Sequence, residues 1–297
     1  MKISVTETDS KHRADIVLTA HITELSRSYI RKLFDDGRVT VEGTPIRPKD
    51  TLKPGTEIDV AYDMARTESI PKISLRILYE DDDCLVIEKP EGVLTHSKGS
   101  YNPEATVATF MADKIDLSGF LMQNTPKTSE RAGIVHRLDR ATSGVIICAK
   151  TPLALAWLQK QFSQRKVKKT YVAIVTGHVS PGRAVIEMPI ARHPVQRKKF
   201  HVSPDGKPAI TEYEVTKSCP GYDMLVLRPS TGRTHQLRVH LSQIGHPIVG
   251  DSVYGKQTAE RMFLHAEQLE LTLPSKQRKV FVSPLPHSFN DFIDKKL

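Results

Sequence analysis

Two short segments hold polar residues that could do chemistry together. Residues 136–144 place Asp139 between two arginines, directly before an apolar run, and residues 228–238 contain a Gly-Arg pair ahead of a predicted helix. If Asp139 meets Arg233, the guanidinium keeps the carboxylate ionised and oriented, so that it can act as nucleophile or base without a metal. A structural ion pair is the alternative, and the residue types alone leave both hypotheses open.

Other kinds of chemistry are not indicated. His235 and His240 lack the H-E-x-x-H spacing of a zinc site, and Ser143 lies in T-S-G rather than G-x-S-x-G. Neither a phosphate-binding P-loop nor a dinucleotide turn is present. The three cysteines are too far apart for a zinc knuckle or a disulfide framework, which favours a reducing cytoplasm. The residues therefore do not indicate a metal site.

The charge of the chain is concentrated in one segment. The 297 residues carry a formal net charge of +9, and residues 160–200 hold ten basic residues and one acidic residue. A field of one sign attracts a polyanion such as nucleic acid, although a solvated surface has the same composition. With 39% hydrophobic residues, the chain can form a core, and no apolar run is long enough to cross a membrane.

A small module is predicted for residues 12–62, followed by a polar linker at 63–73. Ser26 can cap a helix whose apolar residues recur every three or four positions and which ends at Gly37; strands are expected at 39–41 and 58–61. Three basic residues lie along this helix and could contact phosphates: Arg27, Arg31 and Lys32. The pattern resembles an RNA-binding module first seen in a small-subunit ribosomal protein, with GRVTVEG at 37–43 and KPGTEIDV at 53–60.

The remaining residues, 74–297, mix strands and helices without regular alternation. An apolar, β-branched run at 144–149 predicts a buried strand, and Thr151-Pro152 predicts the start of a helix. Further strands are expected at 77–79, 84–87, 171–175, 209–215, 224–228, 264 and 269–273, and further helices at 105–114 and 234–244. This order favours an α+β domain with a mainly antiparallel sheet.

Taken together, the motifs resemble those of the RluA-type pseudouridine synthases. Residues 131–139 (RAGIVHRLD) with 142–144 (TSG) are similar to the family signature. Further blocks follow in the family's order: 88–92 (EKPEG), 169–173 (KTYVA), 232–240 (GRTHQLRVH), 246–251 (HPIVGD) and 264–266 (LHA). Residues 189–194 and 206–209 resemble the RluD-like branch, which modifies large-subunit ribosomal RNA, and that branch also has such an N-terminal module.

The resemblance implies an isomerase that converts uridine in RNA to pseudouridine without cofactor or metal. It implies a catalytic role for Asp139, as nucleophile or base, with Tyr171 stacking on the target base and Arg233 pairing with the aspartate. Arg137 would enter the space that the flipped base leaves, and Leu264 would contact that base. The sequence departs from the family pattern at residues 95–97, where Thr-His-Ser stands at the place of a histidine-proline pair that is common in relatives.

The predicted partner is RNA, with ribosomal RNA as the first candidate and transfer RNA as the second. Phosphate contacts are expected from Arg197, Lys198 and Lys199 in the basic segment. We expect a cytoplasmic monomer that does not bind a membrane. Two alternatives stay open: a non-catalytic RNA-binding or ribosome-assembly protein, and a hydrolase that cleaves the same sugar–base bond.

Overall fold

The computed structural model describes residues 1–22, 25, 27–62, 71–96, 104–115 and 133–296. Its backbone contacts divide the chain into two units. The N-terminal unit comprises Met1–Ile73 with His96–Thr109, and the C-terminal unit comprises Ser74–Thr95 with Phe110–Leu297. Ser26, most of the predicted linker and part of the family signature (131–132) lie outside the described residues.

The N-terminal unit contains a four-stranded sheet with the strand order β1-β4-β2-β3. Its elements are β1 (Lys2–Ser4), a 3-10 turn (Asp9–Lys11), α1 (Ala14–His21), α2 (Arg27–Asp35), β2 (Val39–Val41), β3 (Thr44–Pro45) and β4 (Glu57–Val60). The predicted apolar face of α2 is buried at Ile30, Leu33 and Phe34. Gly37 follows the helix with a φ of +69°, a conformation that glycine adopts without strain.

The C-terminal unit is built on a sheet of nine described strands. They lie in the order β5-β6-β7-β14-β8-β13-β12-β9, with β15 paired to β14, and a separate pair is formed by β10 and β11. The strands are β5 (Arg76–Glu80), β6 (Cys84–Lys89), β7 (Ser143–Ala149), β8 (Lys168–Thr176), β9 (Arg183–Glu187), β10 (Ile190–Arg192), β11 (Phe200–Val202), β12 (Ile210–Cys219), β13 (Tyr222–Pro229), β14 (Leu264–Thr272) and β15 (Arg278–Val282).

The remaining described helices are α3 (Val107–Ala112), α4 (Pro152–Ser163), α5 (Gln236–Gln243) and α6 (His287–Asp294). Helix α4 begins as predicted, because the Thr151 hydroxyl accepts a bond of 3.1 Å from the backbone N–H of Ala154 and Pro152 opens the helix. None of the described helices has the length and hydropathy needed to cross a bilayer.

Strand β7 carries the predicted active-site loop at its start and is buried along its whole length. It pairs antiparallel with β6 and parallel with β14, where Ser143 and Gly144 lie opposite His265 and Ala266. Gly144 has a φ of +123°, and a Cβ there would collide with the backbone of Ala266. The continuous apolar run therefore predicted a strand enclosed by neighbours, and the α+β class with a mostly antiparallel sheet is confirmed.

Candidate active site

A cavity of about 500 Å³ opens in the C-terminal unit. Four parts of the chain line it: the loop before β7, the start of β8 with the end of α4, the segment from Pro229 to Arg238, and Leu264 of β14. All five residues that the sequence assigned to catalysis or to the base are among its lining residues: Arg137, Asp139, Tyr171, Arg233 and Leu264. Residues up to 127 positions apart in the chain thus share one concave site, which is typical of a ligand pocket.

Asp139 lies in the loop before β7, and its side chain is 18% exposed. The residue before Asp139, Leu138, is held by the hydroxyl of Thr95. This hydroxyl accepts from the backbone N–H of Leu138 at 3.1 Å and donates to its C=O at 2.9 Å. Thr95 is one of the positions at which the chain departs from the family pattern. Its side chain holds the backbone beside Asp139, a role that the sequence did not indicate.

Lys89 anchors the other side of the same loop. Its fully buried ammonium donates to the carbonyls of Pro90 and Val93 at 2.9 and 2.8 Å, and to that of Arg140 at 3.3 Å. Burial lowers the pKa of Lys89 to about 7, although the nearby charge of Asp139 opposes this shift. Lys89 therefore ties the chain after β6 to the residue that follows Asp139.

The guanidinium that pairs with Asp139 belongs to Arg238, so the predicted pairing with Arg233 is wrong. Nη1 of Arg238 donates to Oδ2 of Asp139 at 3.1 Å. The same side chain donates from Nε and Nη2 to the two carboxylate oxygens of Asp251, at 2.7 and 2.8 Å. Burial would raise the pKa of Asp251, but the bonds from Arg238 outweigh it and hold that pKa below its usual value.

Arg233 also lines the cavity, but its side chain turns to a different acceptor. Its Nε donates to the carbonyl of Pro208 at 3.0 Å, and its backbone N–H donates to the side chain of Gln236 at 3.0 Å. Helix α5 begins after His235, whose φ of +58° turns the chain between the two arginines. This turn directs Arg238 to the carboxylate.

His235 is the third group near the carboxylate. Its Nε2 lies 3.7 Å from Oδ2 of Asp139, and its Nδ1 lies 2.9 Å from the hydroxyl of Tyr254. Burial lowers the pKa of His235 despite the attraction of Asp139, so the imidazole is neutral near pH 7. Arg238 therefore supplies the positive charge at Asp139.

Tyr171 and Leu264 lie among the apolar residues of the cavity wall. Tyr171 of β8 lies opposite Ala266 of β14. Leu264, also on β14, lies opposite Ala173 of β8. Burial raises the pKa of the Tyr171 phenol, and the charge of Asp139 raises it further, so the ring stays neutral. A neutral aromatic ring beside an aliphatic side chain is suited to contact with a planar base.

The cavity is strongly cationic. Among the described residues that line the cavity, one is acidic, Asp139. Five are lysine or arginine: Arg137, Arg165, Lys169, Arg233 and Arg238. Arg137 is exposed at the rim and forms no ion pair with any described residue. Arg238 shares its single charge between Asp139 and Asp251, and the other four cations favour an anionic ligand.

The other predicted RNA contacts lie outside the cavity lining. Arg31 and Lys32 are exposed on α2, and the side chain of Arg27 lies outside the described residues. Between β10 and β11, Arg197 and Lys198 are exposed and Lys199 is partly exposed. Arg192 braces that connection, because it donates to the carbonyl of Arg197 at 2.8 Å and lies 5.0 Å from the ring centre of Phe200.

No group of three or more metal-ligating side chains occurs among the described residues. The three cysteines are free and buried. A carboxylate held by a shared guanidinium, facing an aromatic ring inside a cationic cavity, defines an enzyme site for a polyanionic substrate.

Comparison with known proteins agrees with this class. The model of the RNA pseudouridylate synthase family matches residues 83–243. The chain is 40% identical over 253 residues to an uncharacterised RNA pseudouridine synthase of Aquifex aeolicus, a match that covers 82% of this chain and 77% of that protein. It is 37% identical over 296 residues to ribosomal large subunit pseudouridine synthase D of Pseudomonas aeruginosa, covering 93% and 89%.

A solved structure gives the same result. Human RNA pseudouridylate synthase domain containing 4 matches with a TM-score of 0.56 and 26% identity, over 72% of this chain and 90% of that one. The chain belongs to the RNA pseudouridylate synthase family, and the predicted RluA-type, RluD-like membership is confirmed. It is an isomerase that acts on RNA.

Proposed function

We propose that this protein converts a uridine of large-subunit ribosomal RNA to pseudouridine, with Asp139 as the catalytic carboxylate. Relatives named ribosomal large subunit pseudouridine synthase D support the choice of RNA, because one of them aligns with 93% of this chain. The observation that carries the chemistry is the bond of 3.1 Å between Arg238 and Asp139 inside the cationic cavity.

The proposed reaction is an isomerisation, so it needs no co-substrate. The bond between ribose C1′ and N1 of the base breaks, the base turns, and a bond forms between C1′ and C5. The proton on C5 is lost and N1 gains one, so that substrate and product are isomers. Asp139 acts on C1′ as a nucleophile or on the 2′ position as a base, and in both roles Arg238 orients its carboxylate.

The base must leave its stack to reach the cavity, at a cost of roughly a few kcal/mol. We propose that Tyr171 stacks on the flipped uracil, which contributes about 1–3 kcal/mol. Leu264 contacts the base beside it, and Arg137 fills the space that the base leaves. Arg233, which does not reach Asp139, is reassigned from the aspartate partner to the cationic wall that faces the RNA.

The exposed basic residues supply contacts that position the RNA without reading its sequence. We assign these contacts to Arg31 and Lys32 of α2, together with Arg27, and to Arg197, Lys198 and Lys199. We keep the predicted boundaries of an RNA-binding module at 12–62, a linker at 63–73 and a catalytic domain at 74–297. A cytoplasmic monomer remains our prediction.

The test is to map pseudouridine in ribosomal RNA from cells with and without the gene, and from deleted cells that express Asp139→Asn. We expect one or more large-subunit sites to lose the modification in the deleted and D139N cells only. Unchanged modification at every uridine would instead favour a non-catalytic RNA-binding protein. Release of free uracil by the purified protein would favour the hydrolase.

A further inference from the structure

Lys169 is a partly buried cation of the cavity wall that lacks a counter-charge. Its Nζ donates to the carbonyl of Thr231 at 3.0 Å, and no described carboxylate lies within ion-pair distance of it. Other cations of the unit are better compensated: Lys89 donates to three carbonyls, Arg238 contacts two carboxylates, and Arg261 lies 3.2 Å from Glu91. Burying a charge is costly unless it is paired, so a bound anion would stabilise Lys169.

The position of Lys169 separates it from the proposed chemistry at Asp139. It lies two residues before Tyr171 on β8, and both side chains line the cavity. Since side chains alternate along a strand, the two share a face and lie about 7 Å apart along it. Asp139 raises the pKa of Tyr171, whereas burial alone lowers that of Lys169, to about 8. Lys169 therefore faces a part of the substrate beyond the reacting sugar.

The surroundings of Lys169 leave an anion free to approach. Gly232 has no side chain. A Cβ built at Gly232 would lie 3.9 Å from Nζ of Lys169. Arg165, another cation, lines the same cavity. A larger residue at position 232 would cover the ammonium, so glycine keeps this side open.

The nearby histidine does not compete for the anion. His136 stacks on Phe162 with ring centres 4.6 Å apart, and its Nε2 accepts from the backbone N–H of Ile147 at 3.1 Å. Burial, aided by the charge of Lys169, lowers the pKa of His136 to about 3, so it is neutral. Lys169 is thus a cation beside a neutral aromatic pair.

We propose that Lys169 binds a backbone phosphate of the RNA strand next to the target nucleotide. This proposal rests on the proposed function, because it takes the base to lie on Tyr171. The phosphodiester is the anion that RNA presents at each linkage, and an ammonium binds it as a point charge. Lys169 is therefore a positioning residue that sets where the strand enters the cavity.

The first experiment compares three variants: Lys169→Met, Lys169→Arg and the control Lys295→Met, which changes an exposed lysine beyond α6. Each is titrated with an unmodified large-subunit ribosomal RNA transcript between 50 and 200 mM salt. We expect K169M to lower the log–log salt slope by about one unit, while K169R and K295M keep it. An unchanged slope for folded K169M would overturn the proposal.

The second experiment locates the phosphate. A short RNA containing the target uridine carries a neutral methylphosphonate at one linkage at a time. One linkage should weaken wild-type binding yet leave K169M unaffected, and K169M should raise KM by roughly tenfold while kcat stays within about twofold. Equal sensitivity of both proteins at every linkage would overturn the proposal, as would a loss confined to kcat. If the wild type forms no pseudouridine but the coupling persists, the proposed function fails while the phosphate site stands.

Discussion

Arg238 joins two carboxylates that lie 112 positions apart in the chain, Asp139 and Asp251. The bonds to Asp251 are the shorter ones, and Asp251 also accepts from the backbone N–H groups of Val253 and Tyr254 at 2.9 and 3.1 Å. Asp251 therefore holds the guanidinium, and the guanidinium in turn orients Asp139. This chain of contacts differs from the one expected from the motif.

Replacing Asp139 with asparagine should abolish turnover and leave RNA affinity within about threefold of the wild type, because phosphate contacts dominate affinity. Product formation is measured by mass spectrometry of digested RNA, and affinity by titration at fixed salt. Retained turnover in D139N would remove the assignment of this carboxylate.

Arg238→Met should destabilise the protein by about 3–5 kcal/mol, because it leaves the fully buried carboxylate of Asp251 without its cation. Arg233→Met is the matched control and should cost less than about 1 kcal/mol, since it removes one partly exposed hydrogen bond. Urea denaturation measures both. If R233M proved the more damaging variant, our assignment of the pair would be reversed.

Thr95→Val should cost about 1–3 kcal/mol, because the buried N–H of Leu138 loses its acceptor while the shape of the side chain is kept. Turnover should fall with it, since Asp139 is the next residue. Thr95→Ser keeps the hydroxyl and should retain most of the activity. Wild-type kinetics in T95V would show that this contact does not position the loop.

The stability difference between wild type and Lys89→Met should depend on pH. The folded state lowers the pKa of Lys89 to about 7 from the usual 10.5, so between these values the unfolded chain binds more protons than the folded one. The wild type should therefore gain stability relative to K89M as pH rises from 7, by up to about 1.4 kcal/mol per pH unit. Urea denaturation at pH 7, 8 and 9 provides the measurement, and a difference that stays flat with pH would contradict the shift.

Neutralising Arg197, Lys198 and Lys199 together should flatten the salt dependence of RNA binding, by about one unit of slope for each phosphate that the variant no longer binds. None of the three side chains is buried, so stability should change little. Neutralising Lys295 and Lys296 is the control for a change in net charge. Equal effects of the two variants would exclude a specific contact by the basic segment.

Much of the local structure in both units was predictable because its signals are local. The apolar run of β7, the Thr151 cap of α4 and the left-handed Gly37 each depend on neighbours in sequence, and each was confirmed. The short strands β9, β10, β11 and β15 were not predicted. Their exposed or mixed patterns become strands only through pairing with distant segments.

The contacts within the site were less predictable. Arg233 and Arg238 lie in the same motif on either side of the left-handed turn at His235, and the motif does not tell which of them pairs with Asp139. Thr95 and Lys89 act through backbone groups more than 40 positions away, so neither residue type nor spacing reveals their role. Motif matching thus located the cavity, whereas the pairing of charges needed the three-dimensional structure.

The double engagement of Arg238 has a practical consequence. When Asp139 becomes asparagine, the guanidinium keeps its partner in Asp251, so the damage stays confined to one side chain. An inactive variant that still folds and still binds RNA should form a complex with its natural RNA substrate without converting it. Crosslinking D139N to RNA inside cells and sequencing the captured fragments would identify the modified uridine directly.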